Sequence, residues 1–364
     1  MSAKKVLILC LHRPGRSPSQ RFRFEQYLNF LEQHNYSFTF SYLLNEKDDK
    51  IFYKPGHAFK KSLIVAKSTV KRIKEGITAK KFDLVFVQRE AYMLGSSIFE
   101  KMIGKSVPLI FDFDDSIWVQ NISDANKKLS FLKDANKTKH IIKAAKLVFA
   151  GNQYLAEYAK PFNNNIKVVP TTIDTDIYER KISVGNDNVC IGWSGSFSTI
   201  QHFATAIPAL KRIKEQYAGK VTFKIIGDGN FYCQELDVKG EPWVSETEVE
   251  ELSKIDIGIM PLPDDEWAKG KCGLKGLQYM ALSIPTIMSP VGVNTEIIQH
   301  GENGYLPLSE DDWVKYLSEL IQNKELRKRI GDAGRVTVIE KYSVEAWREK
   351  YLEYFDELIA QSKS

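Results

Sequence analysis

The sequence predicts an α/β protein of two units, each a parallel sheet covered by helices. Two observations carry that expectation. Short apolar runs alternate with amphipathic stretches along the whole chain, which is the pattern of strand–helix–strand repeats. The length, 364 residues, exceeds one ordinary domain and suits two of about 150 to 190.

Taken in order, residues 6–10, 38–43, 84–87, 109–111, 147–150 and 167–169 read as strands of the first unit, with helical spacing at 20–33 and 137–145. The first run meets His12 and Arg13 after about six residues, too short for a signal peptide, so it reads as a buried strand. Phe59, Leu63, Ala66, Val70, Ile73 and Ile77 recur at intervals of four and three. They form one stripe of a helix, expected to pack on the core and to leave Lys60, Lys61, Lys67, Lys71, Arg72 and Lys74 on a solvated face. Lys80 and Lys81 follow, and the other reading of this basic helix is contact with anionic lipid. Residues 182–188 are polar, include Gly185, and read as a linker between units spanning 1–181 and 182–343. In the second unit, 189–192, 222–226, 257–260 and 285–288 are strand-like, and 199–217, 246–254, 275–282 and 311–322 are helical. A last helix covers 344–359, with no strand after it.

The 43% apolar fraction supports packed cores. A net charge of +5 favours anionic substrates or a membrane surface and is too small to argue for nucleic acid. The four cysteines, Cys10, Cys190, Cys233 and Cys272, lie far apart without metal-ligand spacing, so a reducing compartment is expected. No run approaches the roughly 20 apolar residues of a membrane span.

Lys271 to Ile298 is the richest stretch. Gly273 can take backbone angles closed to other residues. Leu274, Leu277, Met280, Ala281 and Ile284 recur at helical spacing, Pro285 stops the helix, and 286–288 reads as a buried strand. A helix start is a ready site for phosphate, and Lys271 and Lys275 flank this one. The arrangement suits a sugar–nucleotide diphosphate. Elsewhere, Phe111-Asp112-Phe113-Asp114-Asp115 ends an apolar run in three carboxylates. Strand alternation sets Asp112 and Asp114 on one face and the two Phe residues on the other. A solvated strand end, a divalent-ion site and a general base or charge stabiliser all fit that pattern. The loop after the first strand carries Arg13, Arg16, Arg21 and Arg23, whose forks suit carboxylate or phosphate, and Ser19 reads as a helix cap. Gly195, Ser196, Ser198 and Thr199 form a turn that either receives a phosphate or caps a helix. Gly227-Asp228-Gly229 alone is an ordinary turn, and Trp243 either packs on a base or fills the core.

In their order these motifs resemble the GT-B glycosyltransferases, specifically the family-4-like group of retaining enzymes, over nearly the whole chain. The likeness rests on 19–23, 112–118, Ala150-Gly151-Asn152, the run from Val169 to Asp174, 192–199, Ile226-Gly227-Asp228-Gly229, and above all 273–296. There Gly273, Leu274, Met280, Ala281, Pro285, Gly292 and Glu296 match the family pattern. Gly270 and Gln278 stand where the family places glutamates, its phosphate-binding arginine and lysine are missing from 195–201, and its active-site histidine aligns with Asp114. A subgroup shares the Gly-Lys-Cys-Gly and Gln-Tyr-Met pattern, so these departures look like subgroup traits.

The resemblance implies a GT-B fold: two Rossmann-like domains facing a cleft, an acceptor-side domain over 1–181 and a donor domain over 182–343, with a C-terminal helix (344–364) crossing back to the first. It implies retaining transfer of a sugar from a nucleoside-diphosphate sugar to a hydroxyl of a glycan or lipid-linked saccharide, in cell-surface polysaccharide synthesis. The expected donor contacts are Gly195, Ser196, Thr199, Gly227, Trp243, Cys272, Gly273, Leu274 and Gln278, the last through ribose hydroxyls. Asp114, Lys271 and Lys275 are the expected catalytic groups, the lysines stabilising the leaving diphosphate. Arg16, Arg21 and Arg23 are the acceptor candidates. No metal and no cofactor beyond the donor substrate is expected, since cations and helix amides can carry the leaving charge. The expected location is cytoplasmic, or peripheral on the inner face of the cell membrane. Two rival readings remain: a nucleotide-sugar epimerase of the same fold, and a non-catalytic nucleotide-sugar or glycan-binding protein.

Overall fold

The computed structural model describes residues 2–54, 56–119, 134, 136–180, 188–196 and 199–363. By packing, the chain divides into two units, one running to Pro170 and resuming at Arg348, the other Thr171–Trp347.

The first unit holds strands β1 (Lys4–His12), β2 (Tyr36–Leu44), β3 (Leu84–Gln88), β4 (Leu109–Phe113), β5 (Leu147–Ala150) and β6 (Ile166–Val168). Their order in the sheet is β2-β1-β3-β4-β5-β6, all parallel. The second unit holds β7 (Val189–Ser194), β8 (Val221–Gly227), β9 (Tyr232–Cys233), β10 (Val238–Pro242), β11 (Ile257–Met260) and β12 (Thr286–Met288). Their order is β12-β11-β7-β8-β10-β9, parallel except for the β9–β10 pair. The apolar runs read as strands are all present. β9 and β10 have no such run: β9 is only two residues long, and Gly240 and Pro242 interrupt the apolar pattern of β10.

β1, β3, β4 and β5 are buried on both faces, as covering helices require. One cover is the last helix, Val344–Lys363. Its Tyr351 ring stacks on Tyr27 at 4.4 Å, Phe355 lies 6.1 Å from Phe86, and Asp356 pairs with Lys4. The expected return of the chain end to the first unit is therefore made by a ladder of aromatic rings. The units divide at Pro170, ahead of the 181/182 boundary read from polarity. Residues 171–180 are tied to the second unit: the Ile173 amide donates to Tyr342 at 2.8 Å, and Arg180 donates to the Ile255 carbonyl at 2.9 Å. Apart from Asn188, the expected linker lies outside the described residues.

Two long helices of the sequence reading are broken. Residues 20–33 split into Pro18–Arg21, a 3-10 turn Glu25–Tyr27 and Leu28–Gln33, with Phe24 off the helical region at φ −142°. Residues 200–216 are interrupted by a 3-10 turn at Ala204–Ala206, just before Pro208 enters the next helix. The helix Ala58–Thr78 forms, but its apolar stripe faces solvent and not the core. The inward face carries Ile64, Ser68, Arg72 and Gly76. The Arg72 guanidinium is fully buried, donates to the backbone carbonyls of Cys10, Ser41 and Ala91, and pairs with Glu75 at 2.5 Å. At Gly76 a Cβ would stand 1.7 Å from the Met102 methyl, so the glycine lets the Met102 side chain lie against the helix. A satisfied arginine and a close approach decide the orientation over the apolar period.

Candidate functional site

In the second unit three chain reversals meet. β7 ends at Ser194, whose amide donates to the Tyr279 hydroxyl at 2.6 Å. The Gly195 amide donates to Ile226 on β8 at 2.9 Å. A Cβ on Gly227, at φ +142°, would fall 1.9 Å from the Gly195 carbonyl, so the two turns touch backbone to backbone. A Cβ on Gly195 would in turn lie 2.9 Å from Cε of Lys275. The start of the helix Leu274–Ala281 therefore stands directly beside the β7 turn.

Helix starts in this unit are of two kinds, and those at Thr199, Ala206, Thr247 and Val293 share with this one the lack of a side-chain cap. Asp265, Ser309 and Asn323 each cap the helix that follows with a side-chain oxygen. Gly273, at φ +71°, caps Leu274–Ala281 with no side chain at all. First-turn amides without a side-chain cap, at the positive end of the helix dipole, attract an anion. Alanine there would place its Cβ 2.4 Å from Ile297 Cδ1. Both flanking lysines are seated on indole rings: Lys271 Nζ lies 3.9 Å over Trp267 and Lys275 Nζ 5.3 Å over Trp193. A ring face helps to fix where an ammonium sits. Leu274 and Lys275 are half-buried, and Cys272 is 8% exposed with its thiol directed at the Gly270 carbonyl, 3.7 Å away.

Other expected donor residues are occupied otherwise. The hydroxyls of Ser196 and Thr199 close the turn on themselves, with Thr199 accepting from the Ser196 amide at 3.0 Å. Ser198 lies outside the described residues. Gln278 is buried and donates to the Tyr178 hydroxyl at 2.8 Å and to Glu248 at 3.2 Å. Trp243 donates to the same Glu248 carboxylate at 2.8 Å, as Tyr178 does at 2.7 Å. Gln278 and Trp243 thus belong to one polar knot centred on Glu248, which the sequence did not single out.

In the first unit, Asp114 follows the carboxyl end of β4. One of its oxygens pairs with Arg89 Nε at 2.8 Å, and the other accepts from the Ser19 hydroxyl at 2.7 Å. Burial alone would raise its pKa, but Arg89, Arg23 and Ser19 hold it down at about 2. Ser19 is therefore a ligand of Asp114, and the N-cap position belongs to Ser17, without a side-chain bond. Arg89 sits at φ +59°, a left-handed conformation uncommon for an arginine. Asp112 and Arg23 form a pair with both side chains fully buried, and Arg23 also donates to the Val169 carbonyl. Arg23 is thus a structural ion, and the expectation that it meets an acceptor is corrected: its fork is consumed inside the unit. The same pairing takes Asp112 out of any ion site, and no group of three or more candidate metal ligands occurs among the described residues. Arg16 is 45% exposed and pairs with Asp49 at 2.7 Å, alongside Arg13 at 3.2 Å. Arg21 is half-buried, 5.0 Å over the Phe22 ring.

The comparisons with known proteins agree with this layout. Residues 188–323, which contain the three reversals, match the family model of glycosyl transferases group 1. Residues 188–323 thus carry the likeness to group 1 glycosyl transferases. The chain is 23% identical over 226 residues to N-acetyl-alpha-D-glucosaminyl L-malate synthase of Bacillus anthracis, covering 57% of this chain. That match spans 58% of the relative, a little over half its length. Among solved structures, sucrose-phosphate synthase from Thermosynechococcus elongatus superposes with a TM-score of 0.69 at 12% identity, over 98% of this chain and 100% of that one. HepE of Anabaena, solved with UDP and glucose, gives 0.62 at 16%, over 97% and 100%. These likenesses establish the GT-B fold. Among the described residues no helix is long and apolar enough to cross a membrane.

Sequence reading missed Arg89, Trp193, Trp267, Tyr178 and Glu248. Trp267 and Lys271 are four residues apart, a spacing that could have signalled the cation–ring pair. Nothing in sequence joins Arg89 to Asp114, or Tyr178 to a residue 100 positions on.

Proposed function

We propose that this chain transfers a sugar from a nucleoside-diphosphate sugar to an acceptor hydroxyl, with retention at the anomeric carbon. The observation that carries the reading is the Gly273 helix start, lacking a side-chain cap and flanked by two lysines seated on indoles. The amides at Gly273 and Leu274 would receive the diphosphate, with Lys271 and Lys275 supplying charge. As the bond from the anomeric carbon to the phosphate oxygen breaks, its electron pair stays on the diphosphate. The acceptor oxygen forms the new bond on the same face, and its proton passes to a diphosphate oxygen. Asp114, ionised and clamped by Arg89 and Ser19, acts as a fixed negative charge that orients the acceptor or the sugar; it has no proton to give at neutral pH.

The leaving charge is carried by protein cations and amides in this reading, so turnover survives excess chelator. The acceptor we favour is a growing glycan or lipid-linked saccharide of the cell surface, which sets the work on the cytoplasmic side of the cell membrane. The test is a panel of nucleoside-diphosphate sugars with saccharide acceptors, followed by NMR of the product. The α-linked product of an α-linked donor is expected. An inverted product contradicts retention. A donor converted without any acceptor identifies an epimerase, and donor binding without turnover across the panel identifies a binding protein.

A further inference from the structure

The helix Ala58–Thr78 turns a continuous apolar row to solvent. Phe59, Leu63, Val70, Ile73 and Ile77 are 77%, 55%, 67%, 46% and 73% exposed, with exposed Ala66 between them. At 3.6 residues per turn their spacing keeps all six within a stripe roughly 80° wide and roughly 27 Å long. Single exposed apolar side chains need no explanation, but an unbroken row of this length marks a contact surface. Lys60, Lys67 and Lys74, all exposed, recur at every seventh residue along one edge of the row. Lys81, seven residues beyond Lys74 and exposed, follows past the helix end. The one acidic residue of the helix, Glu75, is directed away from the row, onto Arg72 and Ser41.

We infer that this face docks on an anionic phospholipid bilayer. The apolar row enters the boundary between headgroups and acyl chains, and the lysine stems run along it with their ammonium groups at the phosphates. Charge decides against a second copy of the chain as the occupant. A coiled-coil pair built on this row would set the lysine edge against Ser62 and Thr69 if parallel, or against itself if antiparallel. Neither arrangement offers the lysines a carboxylate, whereas an anionic bilayer offers phosphates along the whole row. The inference does not depend on the transfer reaction.

The test is flotation of the full-length chain with phosphatidylcholine vesicles, with and without phosphatidylglycerol, at low and high salt. The wild type should float with the anionic vesicles, at least about tenfold less with the neutral ones, and be released by salt. The triple variant Leu63→Ser/Val70→Ser/Ile73→Ser should lose most of the binding, and Lys60→Gln/Lys67→Gln/Lys74→Gln should lose the preference for anionic lipid. All six side chains are solvent-facing, so UDP affinity measured in the same samples should stay unchanged in both variants. That readout separates failure here from failure of the donor reading. No flotation, equal flotation with neutral vesicles, or wild-type flotation of the apolar variant overturns the inference. So does a lipid-free dimer that Val70→Asp disperses, which would give the face to a second copy.

Discussion

Asp114 and Asp112 show how two carboxylates one residue apart take different work. Asp114 keeps contact with a strained arginine and a serine hydroxyl, and its ionised state persists far below neutral pH. Replacing Arg89 with Met removes the ion pair and leaves only Arg23 and Ser19 to oppose the effect of burial on the carboxyl. The Asp114 pKa then rises, measurable by carboxyl NMR, and turnover should fall most steeply at acidic pH. A flat pH profile in Arg89→Met would contradict the fixed-charge role. Asp112 is structural. Its removal in Asp112→Ala leaves the fully buried Arg23 charge uncompensated and should cost about 3–5 kcal/mol in urea unfolding. Sequence showed the carboxylates but not this division, because the deciding partners, Arg23 and Arg89, come from other strands and loops. Lys271 and Lys275 were legible because a helix start and its flanking charges are neighbours in sequence.

At the level of elements, the helix Leu274–Ala281 was fully readable: a glycine turn, an apolar period and a proline stop are all local signals. Gly273→Ala tests how far the site depends on it. The left-handed conformation alone costs an L-residue about 1–2 kcal/mol, and the added methyl meets Ile297. Diphosphate affinity should fall along with stability, whereas a loss of stability alone would detach the turn from the anion. The Glu248 knot makes a second element-level prediction. Glu248→Ala strips a shared acceptor from Tyr178, Trp243 and Gln278 and should lower second-unit stability by about 2–4 kcal/mol. The helix Ala58–Thr78 marks the limit of periodicity as evidence. Its apolar residues do share a face, but period alone does not say whether that face meets core or solvent. The buried arginine and Gly76 settle that through contacts distant in sequence.

For the molecule as a whole, strand–helix alternation announced two parallel sheets but not their strand order, and the match of the fold to GT-B structures extends over nearly the entire chain. Sequence also left undetermined the long-range polar pairing, which sets the pH response. Burial pushes His12 down to about 4, with Asp49 opposing and Arg16, Arg89 and Arg13 assisting. Because this folded value lies below the unfolded one of 6.5, the native state binds fewer protons in that window. Stability should therefore be fully present above pH 6.5 and decline as the pH falls toward 4, by an amount on the order of 3 kcal/mol. Urea midpoints across that range, compared with His12→Asn, measure it; an equal decline in the variant would assign the loss to other groups. The central claim, that the second unit receives a nucleoside diphosphate at the Gly273 helix start, is tested most directly by calorimetric titration of UDP into the wild type and Lys271→Ala/Lys275→Ala, with thermal unfolding as the control for folding. The account predicts a loss of affinity of at least about tenfold in a folded variant. Unchanged affinity in the double variant would contradict it.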